Sequence, residues 1–142
     1  MLRNSSITMT FAILLLASPA VFATAPNTEV NGDPRHGDEL YAEQCKGCHE
    51  LHETLVGPKH CGVFSRRAGS VPDYAYSDVM KQSGFIWDTK HLDDFLKAPI
   101  SYLNGTNMGY AGLDDAKDRA DLIAYLREAM DPAVCSADNG AQ

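Results

Sequence analysis

The chain has 142 residues, 12 of them basic and 19 acidic, for a net charge of −7. That length suits one domain. The acidic balance argues against nucleic acid and against anionic membranes as partners.

The N-terminus is expected to be removed. Arg3 is the only charge before Glu29, and the apolar run Phe11-Ala-Ile-Leu-Leu-Leu-Ala17 follows it, with small residues at Val21-Phe-Ala23. A basic start, a short apolar core and a small-residue exit make a secretory signal peptide over residues 1–23, cut after Ala23. The run falls well short of the roughly 20 residues needed to cross a bilayer, which disfavours a membrane anchor. Cleavage removes Arg3 and no acid, so the net charge moves from −7 to −8. Export implies the periplasm, an oxidising compartment in which cysteines pair or are modified.

Residues 24–32 read as a flexible leader, 33–131 as the domain and 132–142 as a tail. Asp33 can cap a helix that has Pro34 at its first position, with Leu40, Tyr41 and Gln44 at helical spacing. Glu50 to Val71 is loop, rich in turn residues. A short helix is expected in "YSDVMKQSG", stopped by Gly84. Asp88 caps another, in which Leu92, Phe95 and Leu96 share a face and Pro99 marks the end. "NGTNMGYAG" carries three glycines in nine residues and reads as loop. The strongest helix is "DDAKDRADLIAYLREAM". Leu122, Tyr125 and Leu126 form its apolar stripe, beside a side marked by Ala116, Ala120, Ile123, Ala124 and Arg127. The fold class is therefore all-α, with three to five helices and long loops. Short helices and long loops bury a modest core, and a large apolar cofactor at the centre would supply what the chain lacks.

Cys45-Lys-Gly-Cys48-His49 points to that cofactor. A disulfide, a redox dithiol, a zinc site and an attached haem are all compatible with a Cys-x-x-Cys pair. A redox dithiol wants a βαβ context. Zinc wants a second ligand pair, which the separated Cys61 and Cys135 do not make. The following histidine favours c-type haem: two thiols add to the two vinyl groups on one side of the porphyrin, and His49 supplies the iron's proximal ligand. For the sixth position Met108 is the candidate, in a glycine-rich loop that can approach a flat cofactor closely. Met80 and Met130 lie on helices and read as packing residues, and His36, His52, His60 and His91 read as bystanders.

In order, "CKGCH", "VGPKHCGVFSRRAG", "YAYSDVMKQSGFIW", "FLKAPISYLNGTNMGYAGL" and "RADLIAYLR" resemble the class I cytochromes c, on the mitochondrial-type and bacterial cytochrome c2 branch. The resemblance spans about Asp33 to Met130. It implies a soluble carrier of single electrons, not an enzyme, with one covalent haem c held by Cys45 and Cys48 and ligated by His49 and Met108. Pro58 would orient His49 through its carbonyl. Arg66, Tyr76 and Trp87 would serve the haem propionates. Phe95 and Tyr102 would also stand in the haem site, Phe95 without the hydroxyl usual at its position. Gly37 and Tyr41 would meet Leu122 and Tyr125 where the terminal helices cross. Partners would be redox proteins, such as a dehydrogenase or quinol-oxidising complex and an oxidase, met as a monomer. Ile100, Ser101 and Asn107 stand where family members often carry lysines, which argues for a weakly charged contact. The alternative is haem catalysis or ligand sensing, peroxidase-like, with a labile sixth ligand. Two thiols remain in an exported chain, and a Cys61–Cys135 disulfide is the hypothesis for them.

Overall fold

A computed structural model of the chain describes residues 31–129 and Cys135. The expected signal peptide, most of the expected leader, residues 130–131 with the Met130 reading, and all of the tail but Cys135 lie outside these residues. Five helices follow in order: α1 Pro34–Gln44, α2 Asp78–Gln82, α3 Thr89–Lys97, α4 Pro99–Tyr102 and α5 Ala116–Ala129. Among the described residues there is no strand, and a lone antiparallel bridge joins Arg67 to Ile86.

The helix starts follow from local chemistry. The Asp33 carboxylate accepts from the Arg35 N–H (3.0 Å), with Pro34 in the first turn. Asp88 accepts from the His91 N–H (2.7 Å) and opens α3. Asp115 accepts from the N–H groups of Lys117 and Asp118 and opens α5. Each bond satisfies a donor that the first turn leaves unpaired. Pro99 both stops α3 and starts α4, because a proline lacks the N–H that a first turn does not use.

The main contact is α1 against α5. Gly37 makes it possible: a Cβ there would run into the carbonyl of Asp121 and stand 2.7 Å from Tyr125 Cβ. Tyr41 packs its ring on Tyr125, with centroids 5.3 Å apart, and Leu122, Ile123 and Leu126 are buried beside it. Gly32 also abuts α5, where a Cβ would stand 2.8 Å from Asp121 Cα. The end of the leader is therefore packed. On α5 the apolar stripe faces inward, with Leu122 and Leu126 buried and Tyr125 half-buried. Ala116 and Arg127 are exposed, while Arg119 and Asp121 are buried. Arg119 is satisfied by Asp93 Oδ1 (2.7 Å) and by the carbonyls of Leu113 and Asp114 (2.8 Å each), which ties α5 to α3.

Asp121 is fully buried and accepts from the Asp33 N–H (2.6 Å), from His36 Nδ1 (2.9 Å) and from Lys117 Nζ (2.6 Å). Burial alone would raise its pKa, but these donors outweigh it and hold the carboxyl at about 2. The same bond raises the pKa of His36 above its ordinary 6.5. His36 thus binds its proton more tightly folded than unfolded. Its contribution is complete below pH 6.5 and is lost as pH rises through the raised value. The Asp121 contribution is present above pH 3.8 and is lost as pH falls toward 2. The thermal midpoint is expected to fall as pH rises above 6.5, and His36→Gln to flatten that slope. An unchanged slope in the variant would contradict this account of the helix crossing.

Candidate functional site

The chain turns sharply after α1. Cys45 follows the last residue of α1, and the His49 N–H donates to the Cys45 carbonyl (2.9 Å), so the intervening residues form one tight turn. The turn places Cys45, Cys48 and His49 along one wall of a cavity of about 420 Å³. That lies within the roughly 300–1,000 Å³ usual for small-molecule sites.

His49 is buried and its ring is held from several sides. Its Nδ1 donates to the Pro58 carbonyl (2.7 Å), which leaves Nε2 as the free donor atom for a metal. Gly57 lies so close that a Cβ there would stand 2.6 Å from His49 Nδ1. Burial lowers the His49 pKa, opposed by the bond to Pro58, a direction that favours the neutral ring a metal ligand needs.

Met108 lines the same cavity. Its loop is fixed locally by the Met108 N–H to Thr106 Oγ1 (3.3 Å) and by Asn107 Nδ2 to the Ala75 carbonyl (3.4 Å). Behind it Gly112, with φ of 113°, lies against the Lys97 backbone, where a Cβ would stand 2.9 Å from the Lys97 carbonyl carbon. Only glycine fits that combination of turn and close approach. The walls between the two donors include Trp87, Leu92, Phe95 and Leu96, all buried. Trp87 stands edge-on to Phe95 (5.2 Å) and to Phe85 (4.7 Å).

The polar groups of the cavity are short of partners. Arg66 donates to the carbonyls of Cys61 (2.7 Å) and Lys59 (3.0 Å), and among the described residues it meets no carboxylate. Burial lowers its pKa, an effect that an anion beside it would reverse. Ser77 Oγ, Tyr41 Oη and His60 Nδ1 are buried without a hydrogen-bond partner. Burial raises the Tyr76 phenol, opposed by Arg66. Two thiols, an imidazole and a thioether, on apolar walls with a guanidinium that meets no carboxylate among the described residues, fit a flat, largely apolar metal cofactor with acidic substituents.

Of the residues expected at the cofactor, Cys45, Cys48, His49, Pro58, Arg66, Tyr76, Trp87, Phe95 and Met108 all line this cavity. Tyr102 does not. It ends α4, is 37% exposed, and its ring meets Phe95 edge-on (6.1 Å). Met80, read as a packing residue, and His60, read as a bystander, also line the cavity. His60 stands two residues after Pro58, in the same turn that accepts from His49. That proximity was the available signal, but nothing local says which way a loop side chain points.

The comparisons agree with the geometry. The family model described as Cytochrome c matches residues 35–129. A cytochrome c of Theileria annulata is 46% identical over 101 residues, covering 69% of this chain and 87% of that protein. The chain belongs to the cytochrome c family. A cytochrome c2 of Rhodomicrobium vannielii is 39% identical over 118 residues, covering 81% of this chain and 94% of its own length. The solved structure of cytochrome cH from Methylobacterium extorquens superimposes with a TM-score of 0.66 at 39% identity, over 68% of this chain and 99% of that one. The fold is that of a cytochrome c. As a member of the family the chain is an electron-transfer protein with covalently bound haem c. No helix among the described residues is long and apolar enough to cross a membrane.

The structure brings Cys61 and Cys135 side by side, with Cα atoms 5.7 Å apart across a sequence separation of 74. The pair links the loop after Pro58 to the segment beyond α5.

Proposed function

We propose that this cytochrome is a soluble, periplasmic, monohaem carrier that passes single electrons between redox proteins. The observation that carries the reading is the shared lining: two thiols, the Pro58-bound imidazole of His49 and the Met108 thioether face one cavity. When bound, the haem supplies reversible one-electron exchange at its iron. The chain does the rest. Cys45 and Cys48 would hold the haem through their sulfurs. His49 Nε2 and Met108 Sδ would ligate its iron and leave no place there for a substrate. Pro58 fixes the ring of His49 and raises its basicity. Arg66, Tyr76 and Trp87 would meet the propionates. Leu92, Phe95 and Leu96 keep water out, so few polar groups need to reorient as charge changes.

The contact surface is weakly charged. Val56 lines the cavity and is 73% exposed, and Ile100 is 55% exposed. No lysine stands between Ala98 and Gly112. A dehydrogenase or quinol-oxidising complex on one side and an oxidase on the other are the partners this surface serves, through a weakly charged or apolar contact, with the net charge acting at longer range and fading with salt.

Export is tested with the chain expressed from its own leader. The reading predicts periplasmic holoprotein beginning at Thr24, and no reactive thiol after unfolding without reductant. Two cysteines are then held as thioethers and two as the Cys61–Cys135 pair, which the 5.7 Å Cα separation supports. A full-length cytoplasmic product, or two reactive thiols, would contradict it.

A further inference from the structure

The strongest unexplained feature is the position of His60. Its imidazole lies on that of His49, with ring centroids 4.1 Å apart and planes inclined by only 17°. Its Nδ1 is buried without a partner, so no hydrogen bond of that atom accounts for the pose. A buried imidazole nitrogen left unpaired costs stability. An aliphatic side chain would fill the space without that cost.

The backbone holds His60 in this place. The His60 N–H donates to the Glu50 carbonyl (3.0 Å), the next N–H from Cys61 donates to Leu51 (2.9 Å), and the Gly57 N–H donates to Cys48 (2.8 Å). The segment carrying His60 is therefore stitched to the segment carrying His49 on both sides of the ligand. The Cys61–Cys135 bond anchors the adjacent residue. On its other side His60 meets Tyr41, with centroids 5.6 Å apart, and Tyr41 packs on Tyr125. A row of four rings thus runs from the crossing of α1 and α5 to the proximal imidazole.

We propose that His60 is a positioning residue for His49, its flat ring setting the rotation of the ligand imidazole about the axis of its metal bond. The bond from His49 Nδ1 to Pro58 fixes one atom of the ring, and Gly57 limits it near the same atom. Neither determines the tilt of the plane as a parallel ring at 4.1 Å does. Flat rings pack in two preferred arrangements, offset-stacked or edge-to-face, whereas an aliphatic chain accepts many orientations. This rests on the reading of His49 as the iron ligand.

The test uses oxidised holoprotein and proton NMR. The four haem methyl resonances are spread by the unpaired electron in an order that depends on the plane of the axial imidazole. His60→Ala and His60→Leu are expected to change the order or spacing of those resonances, and His60→Phe to return them to the wild-type pattern. Unchanged patterns in Ala and Leu would overturn the proposal, as would a Phe variant that departs as far as Ala. If the Ala variant does not fold, Leu against Phe decides alone, since Leu fills the space without a flat face. A wild-type protein lacking a histidine-ligated low-spin haem would instead overturn the reading of His49, so the two failures are distinguishable.

Discussion

Met108→Ala is expected to keep the haem covalently attached and to abolish the weak red absorption band of methionine-ligated iron. The attachment residues are separate from the Met108 loop, so maturation should proceed. The sixth position then opens, and the reduced protein should bind carbon monoxide, which the closed wild type should not. Methionine ligation raises the potential of a histidine-ligated haem. Its loss should lower the potential by on the order of 100 mV or more, within the roughly 0.8 V that axial ligands control. Met80 also lines the cavity, so it is the necessary control. It sits on α2 with 6% of its surface exposed, as a packing residue does. Met80→Leu should keep the band and cost little stability, because the swap nearly conserves volume. Loss of the band in Met80→Leu and its survival in Met108→Ala would exchange the two assignments.

The second large effect is structural. Gly37→Val places two methyl groups where a single Cβ already collides with the Asp121 carbonyl and crowds Tyr125. The obstacle is helix backbone, which cannot swing aside as a side chain can. Forced overpacking of this kind costs up to about 3 kcal/mol. For a domain of this size that is a fall of roughly 10 °C in the thermal midpoint. Gly37→Ala should show a smaller loss of the same sign. A Val variant within about 2 °C of wild type would mean that the helices can separate freely and that their crossing does not limit stability.

Much of this architecture is written locally. Asp33 with Pro34, and Asp88, announce two helix starts because a cap needs only its own first turn. The Cys45-to-His49 spacing announces its chemistry for the same reason. What the sequence hid depends on partners far along the chain. Nothing local marks Asp121 as buried, because its partner His36 stands 85 positions earlier. The same holds for Arg119, whose partner Asp93 lies on another helix. His60 looked like a bystander because a histidine in a loop carries no directional signal; only the fold turns it onto His49. Tyr102, expected at the cofactor, ends the short α4 at 37% exposure and is not among the residues lining the cavity.

The central claim is one haem, held covalently by this chain and closed by a histidine and a methionine. Its most direct test is the haem-to-protein ratio and the oxidised and reduced spectra of protein matured in a host with haem-attachment machinery. The account predicts one covalent, low-spin haem per chain, with the red methionine band in the oxidised form. A chain without covalent haem, where a control cytochrome matures, would contradict it, and so would a high-spin haem that binds carbon monoxide freely.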